Sequence, residues 1–194
     1  MDLNINTIIK LAPIATSVAT SIGVLVALGS LWVQGKRSRF AQSIDLLLKL
    51  EERFFDKDAM IEARIRAATA LKNHRKKVVN PPSKMDDVDD VLDFFEHVGL
   101  LERRKAIDEE MVWHSFYYHL QSYYLLSKQH IQEKMEKSPV IWEDMVKLQK
   151  KLVDIEWERN KTRYDIDLAP ERLDEFLEDE CALGKKPPAS SPKG

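Results

Sequence analysis

Residues 88 to 98 read VDDVLDFFEHV, and the apolar positions of this stretch repeat with the period of an α-helix. They are Val88, Val91, Leu92, Phe95 and Val98. Because a helix completes one turn every ~3.6 residues, these side chains share one face, which predicts an amphipathic helix packed against a core. Gly99 follows the stripe, so we expect it either to end the helix or to contact a neighbouring backbone closely.

Similar stripes lie on both sides of this stretch, so the chain is predicted to be all-α. They cover residues 40–54, 61–71, 113–131 and 141–155, and a last short helix is expected from about Pro170 to Cys181. No segment has the convincing two-residue alternation of a β-strand, so no sheet is predicted. After the N-terminal segment we expect a bundle of about five helices.

Three local signals mark where these helices should begin or end. Residues 80–83, Asn-Pro-Pro-Ser, predict a break in the chain. Asp108 precedes two glutamates, which predicts that it caps the N-terminus of the next helix. Ser138 followed by Pro139 predicts another helix start, because proline is favoured at the first helical position.

The composition limits the class of protein. Thirty basic and 32 acidic side chains give the 194-residue chain a net charge of −2, which argues against nucleic acid as its partner. A single cysteine, Cys181, excludes a disulfide framework and a multi-cysteine metal site. Six glycines and eight prolines are too few for a turn-rich all-β protein.

Residues 11 to 35 form a run of 25 residues without a charge. As a helix this run would be about 37 Å long, enough to cross a hydrocarbon core of ~30 Å, so we predict a single N-terminal transmembrane helix. One alternative is a cleaved signal peptide, but the basic cluster follows the apolar run instead of preceding it. The other is a buried helix of a soluble bundle, but the run is longer than an ordinary helix.

The residues after this run predict its orientation. Lys36, Arg37 and Arg39 follow it directly, and residues 36–80 hold twelve basic and six acidic side chains. Because cationic flanks stay on the cytoplasmic side, the N-terminus is expected outside and the C-terminal region in the cytoplasm. Lys36, Arg37 and Arg39 are then predicted to contact anionic lipid headgroups.

Small residues recur every four positions in the apolar run. They are Ala15, Ala19, Gly23 and Ala27. Small side chains on one helix face let two backbones approach closely in a membrane, so these positions predict helix packing and a homo-oligomer. Alanine and glycine are also common in membrane helices in general, which is the alternative reading of the same stripe.

No catalytic, cofactor-binding or metal-binding residue is predicted. The pairs Asp93 with His97 and Glu110 with His114 have i,i+4 spacing, but neither belongs to a helical metal motif. The sequence contains no glycine-rich phosphate loop and no Gly-x-Ser-x-Gly motif, and Cys181 has no evident base near it in sequence. We therefore expect a protein that is not an enzyme and carries no cofactor.

The most basic cluster spans residues 72–77, KNHRKK. It is favoured as a solvated helix end, where cations complement the helix dipole. A contact with lipid headgroups or nucleic acid is the alternative, although no aromatic residues interleave with the charges as single-strand binding would require.

The aromatic stretch of residues 113–124 is dense, and its helical spacing places most of it in the core. Tyr118 and Tyr123 fall off the main stripe. Because tyrosine is enriched at protein interfaces, both are predicted to face a protein partner.

The order of features resembles a bacterial family of membrane-anchored, all-helical proteins known as a domain of unknown function. The segments that carry the resemblance are FAQSIDLLLKLEERF (residues 40–54), RIRAATAL (64–71), VLDFFEHVGLLERRKAIDEEMVWHSF (91–116) and VIWEDMVKLQKKLVDIEWER (140–159). The most specific piece is residues 94–101, FFEHVGLL. The resemblance implies a bacterial source, an inner-membrane location and an all-helical cytoplasmic domain, and it supplies no catalytic residues.

These observations divide the chain into three expected parts. Residues 1–35 form the N-terminal segment with its transmembrane helix, residues 36–182 the cytoplasmic helical domain and residues 183–194 a disordered tail. The predicted function is that of a membrane-anchored helical interaction or regulatory module acting through contacts with a cytoplasmic protein. The alternative is an oligomeric membrane effector, of a defence or toxicity type, whose span perturbs the bilayer.

Overall fold

Helices account for almost all of the chain that the structure, a computed structural model, describes: residues 40–76, 85–160 and 169–185. No strand occurs within these ranges. The helices are α1 (described over residues 40–55), α2 (Asp58–Arg75), α3 (Asp89–Arg103), α4 (Glu109–Lys137), α5 (Glu143–Asn160) and α6 (Pro170–Ala182). The chain divides into two compact units, Met1–Gln42 and Ser43–Gly194.

The predicted fold class was right in being all-α and wrong in its transmembrane helix. In the described ranges, no helix combines the length and the apolar character that crossing a bilayer demands. The longest helix within the described ranges, α4, has 29 residues but carries charges from its first turn to its last, at Glu109, Glu110, Lys134 and Lys137. Residues 11–35, on which the span was predicted, lie outside the described residues.

The stripe on α3 lies in the core, as predicted. Its five apolar side chains are all completely buried, and Phe95 contacts the rings of Phe54, Phe94 and Phe116 at centroid distances of 5.4, 5.3 and 6.3 Å. Rings at these separations add to the free energy gained from burying them. The aromatic cluster therefore joins α1, α3 and α4 at the centre of the second unit.

Gly99 lies inside α3, so it does not end the helix, and no glycine in the described ranges has positive φ. The second expectation for Gly99, a close backbone neighbour, is confirmed. A Cβ atom at this position would lie 2.5 Å from the backbone oxygen of Asp144. The absence of a side chain at Gly99 thus allows α3 to meet the first turn of α5.

Two of the predicted helix starts can be compared with the structure. The Asp108 carboxylate accepts hydrogen bonds from the backbone N–H groups of Glu110 and Met111 at 2.9 and 3.4 Å, which confirms the N-cap. Helix α5 begins at Glu143 instead of Pro139, because residues 139–142 form turns that end at Trp142, with φ of 53°. The indole of Trp142 is buried and donates to Asp93 at 2.7 Å, which holds this turn against α3.

Candidate interaction surface

Helix α1 exposes part of its apolar surface. Leu47, Leu50 and Phe54 are buried in the core, as the sequence stripe predicted. Ile44, Leu48 and Phe55 remain exposed, and Leu48 has an exposed fraction of 56%. These three side chains lie within about 40° of one another around the helix axis, so they share one side of α1, where Glu51 lies between Leu48 and Phe55 along the helix.

An aromatic row continues this face onto α4. The row consists of Phe55, His119 and Tyr118, with ring centroids 5.2 Å apart for Phe55 and His119 and 5.5 Å apart for His119 and Tyr118. Tyr118 also contacts Phe176 of α6 at 5.6 Å, and 46% of its surface is exposed. The row therefore extends from α1 across α4 to α6 and includes one of the two tyrosines predicted to face a partner.

The aromatic row carries no formal charge at neutral pH. Burial lowers the pKa of His119 to about 4, and this effect outweighs the opposing influence of the Glu180 carboxylate. Burial, followed by the nearby carboxylates of Asp179 and Glu175, raises the pKa of Tyr118 above its ordinary value. The row is thus a neutral apolar strip at pH 7.

The other predicted partner-facing residue, Tyr123, is buried, which corrects that prediction. Its exposed fraction is 0%, and its hydroxyl donates a 2.7 Å hydrogen bond to the Glu180 carboxylate. Although Tyr123 lies off the main stripe of α4, it is buried because α6 covers α4 on a second side. There Phe176 of α6 contacts the Tyr123 ring at 5.1 Å. In this fold Tyr123 packs against α6 inside the bundle.

Beneath the aromatic row lies a charged network that the sequence analysis missed. Arg64 of α2 and Glu180 of α6 are both nearly fully buried and form a bidentate pair with distances of 2.9 and 2.6 Å. Arg64 also donates to the backbone oxygen of Phe54 at 3.0 Å, and its guanidinium lies 4.3 Å from the centre of the Phe54 ring. This network ties α1, α2, α4 and α6 together because Tyr123 of α4 shares the same carboxylate.

Helix α6 presents acidic side chains beside the aromatic row. Its sequence, PERLDEFLEDECA, holds six acidic residues and one arginine. Asp174 and Glu178 pair with Arg75 and Lys72 of α2 at 3.0 and 3.5 Å. The remaining exposed acids form an acidic stripe with a spacing of four residues, namely Glu171, Glu175 and Asp179.

The same ion pairs explain much of the basic cluster at residues 72–77. Lys72 and Arg75 lie in the last turn of α2 and pair with α6, while Lys77 lies outside the described residues. The paired cations thus serve mainly to hold α6 against α2, which favours the interpretation of this cluster as a helix end.

A group of Asp86, Asp89 and His130 has ligand atoms close enough to hold a metal ion. However, the ammonium of Lys134 lies 2.8 Å from a carboxylate oxygen of each aspartate, and the His130 imidazole lies 2.7 Å from Asp89. Hydrogen bonds to the carboxylates of Asp86 and Asp89 raise the pKa of Lys134 above its ordinary value. The group is therefore best described as an ion-pair cluster that joins the start of α3 to the end of α4.

The carboxylates of the two i,i+4 pairs contact residues other than the paired histidines. Asp93 accepts from Trp142, and Glu110 pairs with Arg159 of α5 at 3.2 Å. The residues predicted for helix packing and for lipid contact lie outside the described residues, so their roles stay predictions. They are Ala15, Ala19, Gly23, Ala27, Lys36, Arg37 and Arg39.

The comparisons with known proteins identify a family but no activity. The sequence model of a family described as "Domain of unknown function (DUF4760)" matches residues 17–152. Neither a curated protein nor a solved structure matches this chain. The match covers well over half of the chain, including α1 to α4 and most of α5, and it includes three of the four segments on which the resemblance was based and most of the fourth. This chain therefore belongs to the family of domains of unknown function DUF4760.

Proposed function

We propose that this protein is a helical interaction module that acts through protein contacts at the apolar face of α1 and the aromatic row beside it. The observation that carries the proposal is that Ile44, Leu48 and Phe55 share one exposed side of α1, and that Phe55 is linked through His119 to the exposed ring of Tyr118. We call these four residues, together with His119, the binding surface. Scattered apolar residues are normal on a protein surface, but a contiguous group on packed helices is typical of an interface.

The binding surface rests on a rigid base. The ring of Phe55 contacts Phe54 and Phe116, both of which are buried in the core, at 4.9 and 6.1 Å. Ser115 of α4 donates to the Glu51 carboxylate of α1, so the two helices are also joined by a polar contact. Because the rings of Phe55, His119 and Tyr118 are packed against their neighbours before binding, these side chains would lose little conformational freedom when a partner binds.

The chemistry of the binding surface suits a protein partner. Tyrosine and phenylalanine bury a large area at a low cost in side-chain entropy, and both are enriched in interface cores. The acidic stripe supplies a polar rim on one side, as interfaces usually have. Within the described residues, the carboxylates and histidines that come together are engaged in ion pairs and caps, which gives no support to a competing catalytic interpretation.

Site-specific photo-crosslinking in cells tests this function. The full-length chain would carry p-benzoylphenylalanine at position 48 or 118, and a matched control would carry it at Trp157 of α5, whose exposed fraction of 49% resembles that of Tyr118. We expect one discrete crosslinked product from positions 48 and 118 and none from position 157. Leu48→Asp should remove the product formed at position 118, because a charge would be buried in the interface.

The opposite results would overturn the proposal. Equal crosslinking from all three positions would indicate random encounters, and the absence of a product from positions 48 and 118 would show that the surface has no partner. A product with twice the mass of the chain would support the proposal and identify the partner as a second copy.

A further inference from the structure

We propose that the partner of the binding surface is a cationic amphipathic helix, one whose apolar stripe is flanked by lysine or arginine side chains. This inference rests on the proposed function and adds the chemistry of the partner. It is drawn from two neighbouring features of the surface, namely the apolar face of α1 with its aromatic row and the acidic stripe of α6.

The length of the exposed apolar side of α1 suits a partner helix. Ile44 and Phe55 are eleven positions apart, so the exposed face extends about 16 Å along α1. This length matches three turns of a partner helix, which would present anchors at positions i, i+3 or i+4, and i+7. Tyr118 widens the strip at the end near Phe55, where it offers both an apolar ring and a hydroxyl.

The acidic stripe supplies the charges that a cationic partner would meet. Within the described residues, no ion pair involves Glu171, Glu175 or Asp179, whereas Asp174 and Glu178 on the neighbouring edge of α6 are paired with α2. Tyr118 contacts Phe176 of α6 at 5.6 Å, and the neighbouring charges of that helix change the pKa of Tyr118, which Asp179 and Glu175 raise and Arg172 lowers. A partner seated on Tyr118 would therefore meet these two carboxylates, neither of which forms an ion pair within the described residues, beside the single cation Arg172.

Other occupants fit this surface less well. A nucleic acid or an anionic lipid surface would be repelled by the acidic stripe. A second copy in a symmetric contact would bring two acidic stripes to the same interface, which costs free energy unless cations intervene. A helix with basic flanks complements both the aromatic row and the acidic stripe. Its apolar side chains cover the row while its cations meet Glu175 and Asp179.

Fluorescence anisotropy with a defined probe tests the proposal. The probe is a labelled peptide of two heptads containing only leucine and lysine in helical spacing, and the matched probe replaces each lysine by glutamate. With the full-length chain we expect saturable binding of the lysine peptide and no binding of the glutamate peptide. The affinity for the lysine peptide should fall as salt is raised, because screening weakens contacts between exposed charges.

Two matched pairs of substitutions locate the site. Glu175→Gln with Asp179→Asn removes two exposed acids four residues apart on α6, and Asp154→Asn with Glu158→Gln removes the equivalent pair on α5. The α6 pair should weaken binding of the lysine peptide about tenfold or more, as should Tyr118→Ala, while the α5 pair should change it less than twofold. All five side chains involved are replaced at exposed positions or, for Tyr118, at a half-exposed one, so the fold should persist.

Several results would overturn the inference. They are equal weakening by the two acidic pairs, binding of the glutamate peptide with similar affinity, and no binding of the lysine peptide at concentrations up to about 1 mM. A photo-crosslink from position 118 that survives the Glu175→Gln and Asp179→Asn changes would overturn the cationic partner while leaving the proposed interaction function intact. If these changes abolish both the crosslink and the binding of the lysine peptide, the result supports the proposed function and the cationic partner.

Discussion

Gly99 and the backbone of Asp144 are in such close contact that a Cβ atom at position 99 would lie 2.5 Å from the Asp144 oxygen. Two further contacts fix the same junction of α3 with α5. Glu96 accepts a 2.7 Å hydrogen bond from the backbone N–H of Met145, and Arg103 pairs with the Asp144 carboxylate at 2.7 Å. One side of α3 thus supplies a cap, a close approach and an ion pair to the first turn of α5.

Gly99→Ala should therefore destabilise the protein, although alanine is the better helix former. The added methyl would meet backbone atoms, which cannot move aside as a flexible side chain can. We expect the free energy of unfolding to fall by about 1 to 3 kcal/mol, the usual cost of overpacking, as measured by urea denaturation of the full-length chain.

Gly184→Ala is the matched control for this prediction. A Cβ atom there would meet only the end of the Ile65 side chain, at 3.1 Å, which can rotate away. Its effect should stay within about 0.5 kcal/mol. If both variants unfold at the same urea concentration, the contact between Gly99 and Asp144 is not a close-packed one.

Phe95→Ala should cost about 3 to 5 kcal/mol, because the removed ring is completely buried and leaves a cavity among Phe54, Phe94 and Phe116. Urea denaturation measures this change against Arg104→Ala, an exposed control that should stay within about 0.5 kcal/mol. Loss of partner capture by Phe95→Ala without any loss of stability would show that Phe95 binds a partner instead of supporting the core.

The sequence predicted those features of the fold that depend on local contacts. The buried face of α3 and the cap at Asp108 were predicted correctly because both depend on contacts within a few residues. Ile44 belongs to the apolar stripe of residues 40–54, yet it is exposed, because the apolar residues of α1 cover more of the helix surface than the bundle buries. Periodicity identifies an apolar helix face, but it does not identify which part of that face another helix covers.

The buried charges show why part of the site was missed. Tyr123 was predicted to be exposed because nothing in α4 reveals that α6, some fifty residues later, covers its second side. Arg64 offered a signal, since it shares a helix face with Ala67, Ala68 and Leu71. A lone arginine on an apolar face requires a buried carboxylate partner, but six acids in α6 were candidates for that role.

The pH dependence of stability should reveal the buried state of His119. Its pKa in the folded protein is about 4, below the ~6.5 of an unfolded chain, so the unfolded state binds more protons as the pH falls through this window. The contribution of neutral His119 to the free energy of unfolding is complete above about pH 6.5. About 3 kcal/mol of this contribution should be lost by pH 4.

His119→Gln removes this titration, so the comparison isolates one group among many that titrate in acid. Urea denaturation at several pH values should show the parent losing stability faster than the variant between pH 6.5 and pH 4. Parallel curves for the two proteins would mean that His119 is solvated, and the aromatic row would then carry a positive charge in mild acid.

Glu180→Gln should be among the most damaging single changes, because it leaves the Arg64 guanidinium buried without a countercharge. We expect a loss of about 3 to 5 kcal/mol, compared with a change within about 0.5 kcal/mol for Glu175→Gln on the exposed side of the same helix. Replacing both charges together, as in Arg64→Met with Glu180→Leu, should recover much of the loss, since well-packed apolar side chains can substitute for a buried pair. Equal stability of the Glu180→Gln and Glu175→Gln proteins would instead show that water reaches Arg64, and the binding surface would then lack the rigid base that its preorganisation requires.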